Sequence, residues 1–245
     1  MLSALISRLD VSQVGFSSLR WNAKAQRYHF PAGEEGAGRF LTDKAVRVTI
    51  DADIETQAQR MLEIGETLKI AGKRYEAGEI GKKEYSAAVA QWREEMSHAK
   101  KNVELNYAAA ARGGFHNMTA EHFGRVGGRL RFHFKKLDSF ALELFENPAL
   151  LRDDVPGKLP FDTRVSLYAS TGLFTFERER VVSHKTAGFK MYENVPHSSE
   201  SCHSHKGKVG CTEITAKGKV PIDSEPDVGK RACGPLDKCS WRFSK

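Results

Sequence analysis

The sequence predicts a mainly α protein: a helical body with an extended N-terminal arm and a small C-terminal Cys/His lobe. Three observations predict it. Apolar residues recur at helical spacing from about Asp53 to Val182, interrupted by glycine and proline breaks. Residues 1–48 lack that period and contain a Gly/Pro-rich stretch. All four cysteines fall after Gly188, where the helical period ends. The expected divisions are therefore residues 1–48 (arm), 49–188 (body) and 189–245 (lobe).

Composition narrows the class. A hydrophobic fraction of 40% beside 28% charged residues favours elongated helices or an arm over one large core. The formal net charge of +7 directs the chain toward acidic surfaces or a phosphate backbone, unless it is simply a moderately basic soluble protein. No run approaches the ~18 apolar residues of a membrane span. The opening Met1-Leu-Ser-Ala-Leu-Ile-Ser-Arg lacks a basic leader and a cleavage site, so no signal peptide is expected.

In the arm, Leu2, Leu5, Ile6 and Leu9 fit one short amphipathic helix. Two aromatic-basic stretches, Trp21 to Phe30 and Arg39-Phe40-Leu41, flank the turn-rich Pro31 to Gly38 and read as a loose hairpin. Such a ribbon is marginal alone in water. It lies either on a neighbouring subunit or on the chain's own helices.

A first helix begins near Asp53, capped by Asp51 or Asp53, with Ile54, Ala58, Met61 and Leu68 as its stripe. Gly78 and Gly81 end it. The second helix has the clearest stripe, Tyr85, Val89, Trp92, Met96 and Val103, and stops at Gly113-Gly114. Thr119 caps a third helix with Phe123, Val126, Leu130, Leu137, Ala141 and Leu144 in near-heptad spacing. Gly124, Gly127 and Gly128 weaken a helix by ~1 kcal/mol each, which suggests a close backbone crossing there. Arg125, Arg129, Arg131, Lys135 and Lys136 make this the most basic helix, facing phosphate, a subunit or solvent. Asn147-Pro148 ends it, and a shorter helix runs from Thr163 to about Val182, with Gly172 as a point of bending.

The tail carries the chemistry. Cys202-His203-Ser204-His205 presents a Cys-x2-His pair, and Cys233 and Cys239 flank a Gly-Pro turn. Four N/S ligands in two pairs suit tetrahedral Zn²⁺, and a closed set of four defines a structural site. The expected ligands are Cys202, His205, Cys233 and Cys239, giving a zinc-knuckle-like lobe. Cys211 can replace one of the thiolates, and His197 or His203 can stand in for His205. Disulfides Cys202–Cys211 and Cys233–Cys239 are the alternative in an oxidising exterior, and unligated thiols are a third.

No Gly-x-Ser-x-Gly elbow, phosphate loop or His-Glu-x-x-His motif occurs. Glu121-His122 is a fragment of the last. His197, His203 and Asp223 near a metal would suit a nuclease, but a four-ligand ion has no open position for water. An enzyme is not expected.

Several short motifs then recur together. They are Arg27-Tyr28 with Gly38-Arg39-Phe40, Ala111 to Gly114, Met118-Thr119, Phe123 to Gly127, Leu167 to Ala169 and Val220 to Ile222 before Cys233. In that order they resemble the head-morphogenesis or minor head proteins of tailed phages, the group related to phage Mu protein F. Members of that group end in a similar Cys-x2-Cys … Pro … Cys-rich module after a helical body. This chain departs from the pattern in having His205 at the second cysteine, and only Cys233 and Cys239 in the distal half. The resemblance implies a virion protein made in the host bacterial cytoplasm and built into the head or head–tail junction. Its implied partners are portal or capsid proteins and further copies of itself, with DNA contact open. The competing expectation is a zinc-stabilised nucleic-acid-binding protein.

Overall fold

The computed structural model describes residues 19–30, 37–152, 154–196, 202–205, 207–228, 230–232 and 239–245. The segment Leu2 to Leu9 lies outside the described residues. The architecture is mainly helical, as the periodicity implies. In chain order the elements are β1 (Arg20–Asn22), β2 (Arg27–His29), α1 (Asp43–Glu76), α2 (Lys82–Arg112), α3 (Ala120–Glu146), α4 (Phe161–Ser170), α5 (Gly172–Thr186), β3 (Met191–Val195), α6 (Cys211–Ala216), β4 (Lys219–Pro221) and β5 (Ser240–Ser244). Short 3₁₀ turns cover Phe115–Asn117 and Pro148–Leu151.

The hairpin is tighter than the sequence suggests. β1 and β2 pair antiparallel within the first aromatic-basic stretch, with Trp21 opposite Tyr28. Asn22 Oδ1 accepts from the Ala25 amide at 2.9 Å, an Asx turn that reverses the chain without help from the Gly/Pro stretch. Arg39-Phe40-Leu41 joins through a bridge between His29 and Phe40 and the Leu41 amide on the Tyr28 carbonyl. The ribbon lies on the chain's own helices: Trp21 and Tyr28 are buried in the main core. Gly113 is the contact point. Its φ of +85° ends α2 in the left-handed region, and a Cβ there would stand 2.3 Å from the Trp21 carbonyl oxygen.

α1 starts ten residues before the expected Asp53. Thr42 caps it, its Oγ1 accepting from the Ala45 amide at 3.3 Å. Val46 and Ile50 continue the buried stripe, but Arg47 and Asp51 between them dilute the apolar pattern in the sequence. Arg47 is buried because its Nε donates to both Asp51 oxygens at 2.9 Å. Gly65 and Gly72 do not break the helix. They are close-approach positions, where a Cβ would meet the Phe161 ring at 2.9 Å and Leu151 Cδ1 at 2.3 Å.

α2 is the central element, packed against α1, α3 and α5. The expected fourth helix is two, α4 and α5, broken at Thr171-Gly172. Gly172 is required there because a Cβ would stand 2.6 Å from Tyr107 and Val103 on α2. Beyond Gly188 the chain forms a three-stranded antiparallel sheet in the order β4-β3-β5, with Tyr192 opposite Val220 and Phe243. Buried Arg231 ties this lobe together. Its Nη1 donates to Asn194 Oδ1 at 2.8 Å, and its guanidinium lies 4.3 Å from the centre of the Trp241 ring.

Among the described residues, the close crossing expected at Gly124, Gly127 and Gly128 is not present: a Cβ at any of the three meets none of them within 4 Å, and all three positions are exposed. The two glycine sets therefore respond oppositely to alanine. Gly128→Ala is expected to raise stability by up to ~1 kcal/mol through helix propensity. Gly72→Ala is expected to lower it, since Leu151 must move. Urea denaturation of both variants checks the signs.

Candidate functional site

The site is built on the central helix. Lys100 and Glu104 stand one turn apart on α2, both fully buried, and form an ion pair. Lys100 Nζ also donates to the Tyr168 carbonyl and to Thr171 Oγ1, each at 2.8 Å, so all three ammonium protons are used. Glu104 accepts from the Thr175 hydroxyl, and Arg129 Nε of α3 lies 3.6 Å away. Burial pulls the Lys100 ammonium down, and the Glu104 carboxylate opposes it. Burial would raise the Glu104 carboxyl, but Lys100 and Arg129 together hold it below the ordinary range.

A second cluster lies further along α5. Arg125 of α3 grips Glu179 through two parallel bonds of 2.9 and 2.8 Å, and Arg112 at the end of α2 donates to the same carboxylate at 3.0 Å. Burial would raise the Glu179 carboxyl, but Arg125 and Arg112 together hold it below the ordinary range. A third cluster joins Arg180 to Asp43 at 2.5 Å and to Glu177 at 3.4 Å, tying α5 to the first turn of α1.

Over the Lys100–Glu104 pair α3 stands apart from α4 and α5, leaving a groove of about 1100 Å³. The C-terminal lobe closes one end of it with Lys208, Asp227 and Lys230. Seven Lys and Arg side chains line it against two carboxylates. Some of that charge is spent internally: Arg164 pairs with Glu143, Arg178 and Lys230 with Asp227, and Arg125 with Glu179. Apolar surface fills the space between, including Phe132 and Leu159, each 59% exposed.

The sequence-expected metal ligands fall as follows. Cys202 is half-buried, His205 is exposed, and Cys239 is buried just before β5. Cys233 and His197 lie outside the described residues. Two backbone bonds bring the cysteine segments toward the start of α6. The Thr212 amide donates to the Cys202 carbonyl, and the Ala232 amide to the Val209 carbonyl, both at 3.0 Å. Cys211 opens α6, with its Sγ 3.8 Å from Arg231 Nη1. His205 sits in a tight bridge to Lys208, and His203 Nδ1 lies 3.6 Å from Glu213. Among the described residues, no group of three or more Cys, His, Asp and Glu side chains is placed to hold an ion. Comparison with protein-family models, curated proteins and solved structures finds no match.

Sequence reasoning missed Lys100, which the helical pattern places on the solvated side of α2 and the structure buries completely, and two histidines outside the tail. His184 stacks on Phe243 at 3.9 Å and meets Trp21 at 4.5 Å, so one ring joins α5, the hairpin and β5. Its Nδ1 donates to the Arg180 carbonyl at 2.8 Å, which fixes the neutral tautomer. His133 lies on the groove wall, with Nε2 3.7 Å from Glu104. A basic residue at a helical apolar position is the only sequence signal for either.

Burial lowers both histidines to about 3, with Lys100 reinforcing the shift at His133 and Arg180 at His184. The unfolded chain therefore takes up these protons first. Their contribution to stability is complete above pH 6.5 and is lost as pH falls toward about 3. Each costs about 2 kcal/mol between pH 6.5 and 5. Glu177, raised by burial, works in the opposite sense. Comparing urea stability of the wild type with His184→Phe isolates one ring: the variant should show a slope shallower by ~1.4 kcal/mol per pH unit below 6.5.

Proposed function

We propose that the chain is a structural or assembly protein of a tailed-phage head or head–tail junction, working through protein–protein contacts. The observation that carries this reading is the groove between α3 and the α4–α5 pair. It is long and open, and it combines exposed aromatic and aliphatic surface with a basic rim. Exposed apolar area of that kind marks a surface that meets another macromolecule. The charged clusters beneath it are paired across helices, an arrangement that fixes geometry. The order of short motifs along the chain supports placing this surface in a phage particle, beside portal or capsid proteins.

A structural zinc ion in the C-terminal lobe belongs to the same proposal, with Cys202, His205, Cys233 and Cys239 as ligands. Its support is the soft donor set and the two backbone bonds that carry residues 202 and 232 toward α6. The ion would hold a lobe whose own apolar content is small. The competing reading, a zinc-stabilised nucleic-acid-binding protein, has the seven groove cations in its favour. Against it, five of them are already paired with carboxylates.

The chain is expected in purified particles at fixed copy number, by quantitative mass spectrometry. Its affinity for DNA should be weak and nonspecific at physiological salt. Absence from particles, together with tight DNA binding whose log affinity falls steeply with log salt, would favour the nucleic-acid reading. Elemental analysis should find stoichiometric zinc, lost with Cys239→Ser. Folded, metal-free protein in which every thiol titrates would contradict the zinc assignment.

A further inference from the structure

α1 presents an outward face that the other described residues leave exposed. Val48, Ala52, Glu55, Gln59, Glu63, Glu66 and Ile70 follow one another at three- and four-residue steps, and all are exposed. Between Ala45 and Gly72 the charged residues classed as exposed are all acidic: Glu55, Glu63 and Glu66. Val48 and Ile70 add apolar surface at the two ends, 60% and 58% exposed. The stripe is acidic in its middle and apolar at its ends, and spans about 33 Å at 1.5 Å per residue.

The groove has the opposite character. Along its α3 wall Gly128, Phe132 and Lys136 succeed one another by one turn, with Gly124 a turn before. Bare backbone therefore leads to an exposed ring and then to a cation. Arg129 and Lys208 add positive charge on either side. From Arg125 to Glu143 this wall runs about 27 Å. The missing side chains at Gly124 and Gly128 cost helix stability without serving a contact among the described residues. They would admit a second helix close to the α3 backbone, as small residues do at helix crossings.

We infer that the groove receives the Val48–Ile70 face of α1 from a second copy of the chain. The two surfaces are opposite in sign of charge and alike in apolar content and length. The groove and the stripe are different surfaces of one chain, so the contact is heterologous and each copy offers one of each. It propagates head to tail, closing into a ring or growing into a filament. This rests on reading the groove as a protein-docking surface, and it names that surface's partner.

The test uses two charge-reversed full-length proteins. One carries Lys136→Glu with Lys208→Glu in the groove, the other Glu55→Lys with Glu63→Lys on α1. All four sites are exposed, and circular dichroism melts verify that both variants fold. Sedimentation velocity should show the wild type self-associating and each variant alone at least about tenfold weaker. An equimolar mixture of the two should regain association, because each acidic face again meets a basic one. Carbodiimide cross-linking of the wild type should join Lys136 to Glu55 or Glu63 between copies.

A wild type monomeric at high concentration overturns the proposal, as does association that neither reversal weakens or a mixture that does not recover. If the groove reversal instead abolishes DNA binding without changing self-association, the occupant is nucleic acid and the proposal fails. A monomer still found in purified particles would refute this pairing while leaving the virion reading intact.

Discussion

The pairing of Lys100 with Glu104 inside the helical body is the constraint on which the groove depends. Two charges removed from water each carry a desolvation cost of several kcal/mol, which their attraction offsets only if the remaining protons and lone pairs find partners. The partners here come from one place in the chain. Tyr168 and Thr171 close α4, Thr171 leads into Gly172, and Thr175 lies one turn into α5. Satisfying the pair therefore fixes where α4 stops and α5 begins. It also holds both helices down on α2, with α3 standing away on the other side.

The same principle accounts for an interior that the composition does not advertise. A chain with 28% charged residues builds its core partly from ions. α5 places Glu177, Glu179 and Arg180 inside, each matched by a group from another element: Arg47 and Arg180 facing Glu177, Arg112 and Arg125 on Glu179, Asp43 on Arg180. Such pairs add little net stability compared with apolar replacements of similar shape, but a helix that must present three charges to three partners has few alternative registers. His184 adds an uncharged junction of the same kind, joining hairpin, α5 and terminal strand through one ring.

This also explains how much of the molecule was legible in the sequence. The α2 stripe, Tyr85 through Val103, is apolar at clean helical spacing, and its ends at Gly81 and Gly113 could be read directly. α3 was equally clear, and the change of structure after Gly188 was visible as a loss of period. α1 was read ten residues short because Arg47, though buried, and its half-exposed partner Asp51 both look like surface. The run Phe176-Glu-Arg-Glu-Arg180 carries no sign that most of its charges face inward. Glycine was the most misleading signal: close approach occurs at Gly65, Gly72 and Gly172, while Gly124, Gly127 and Gly128 face open space. A glycine records that a side chain is absent, and only the fold says what stands opposite. Of the tail, the Cys and His side chains were legible but their spatial arrangement was not, because that depends on contacts among loops that have no period.

The packing of α4 and α5 on α2 rests on the buried pair, and a double-mutant cycle tests that dependence most directly. Lys100→Met and Glu104→Leu would be made singly and together, and stability measured by urea denaturation at pH 7. Each single change should cost about 3–5 kcal/mol by leaving one buried charge without its partner. The double variant should cost less than the sum by at least ~2 kcal/mol, since it removes both charges at once. Single variants that lose under ~1 kcal/mol, or losses that simply add, would contradict the claim that this pair sets the arrangement of α2, α4 and α5.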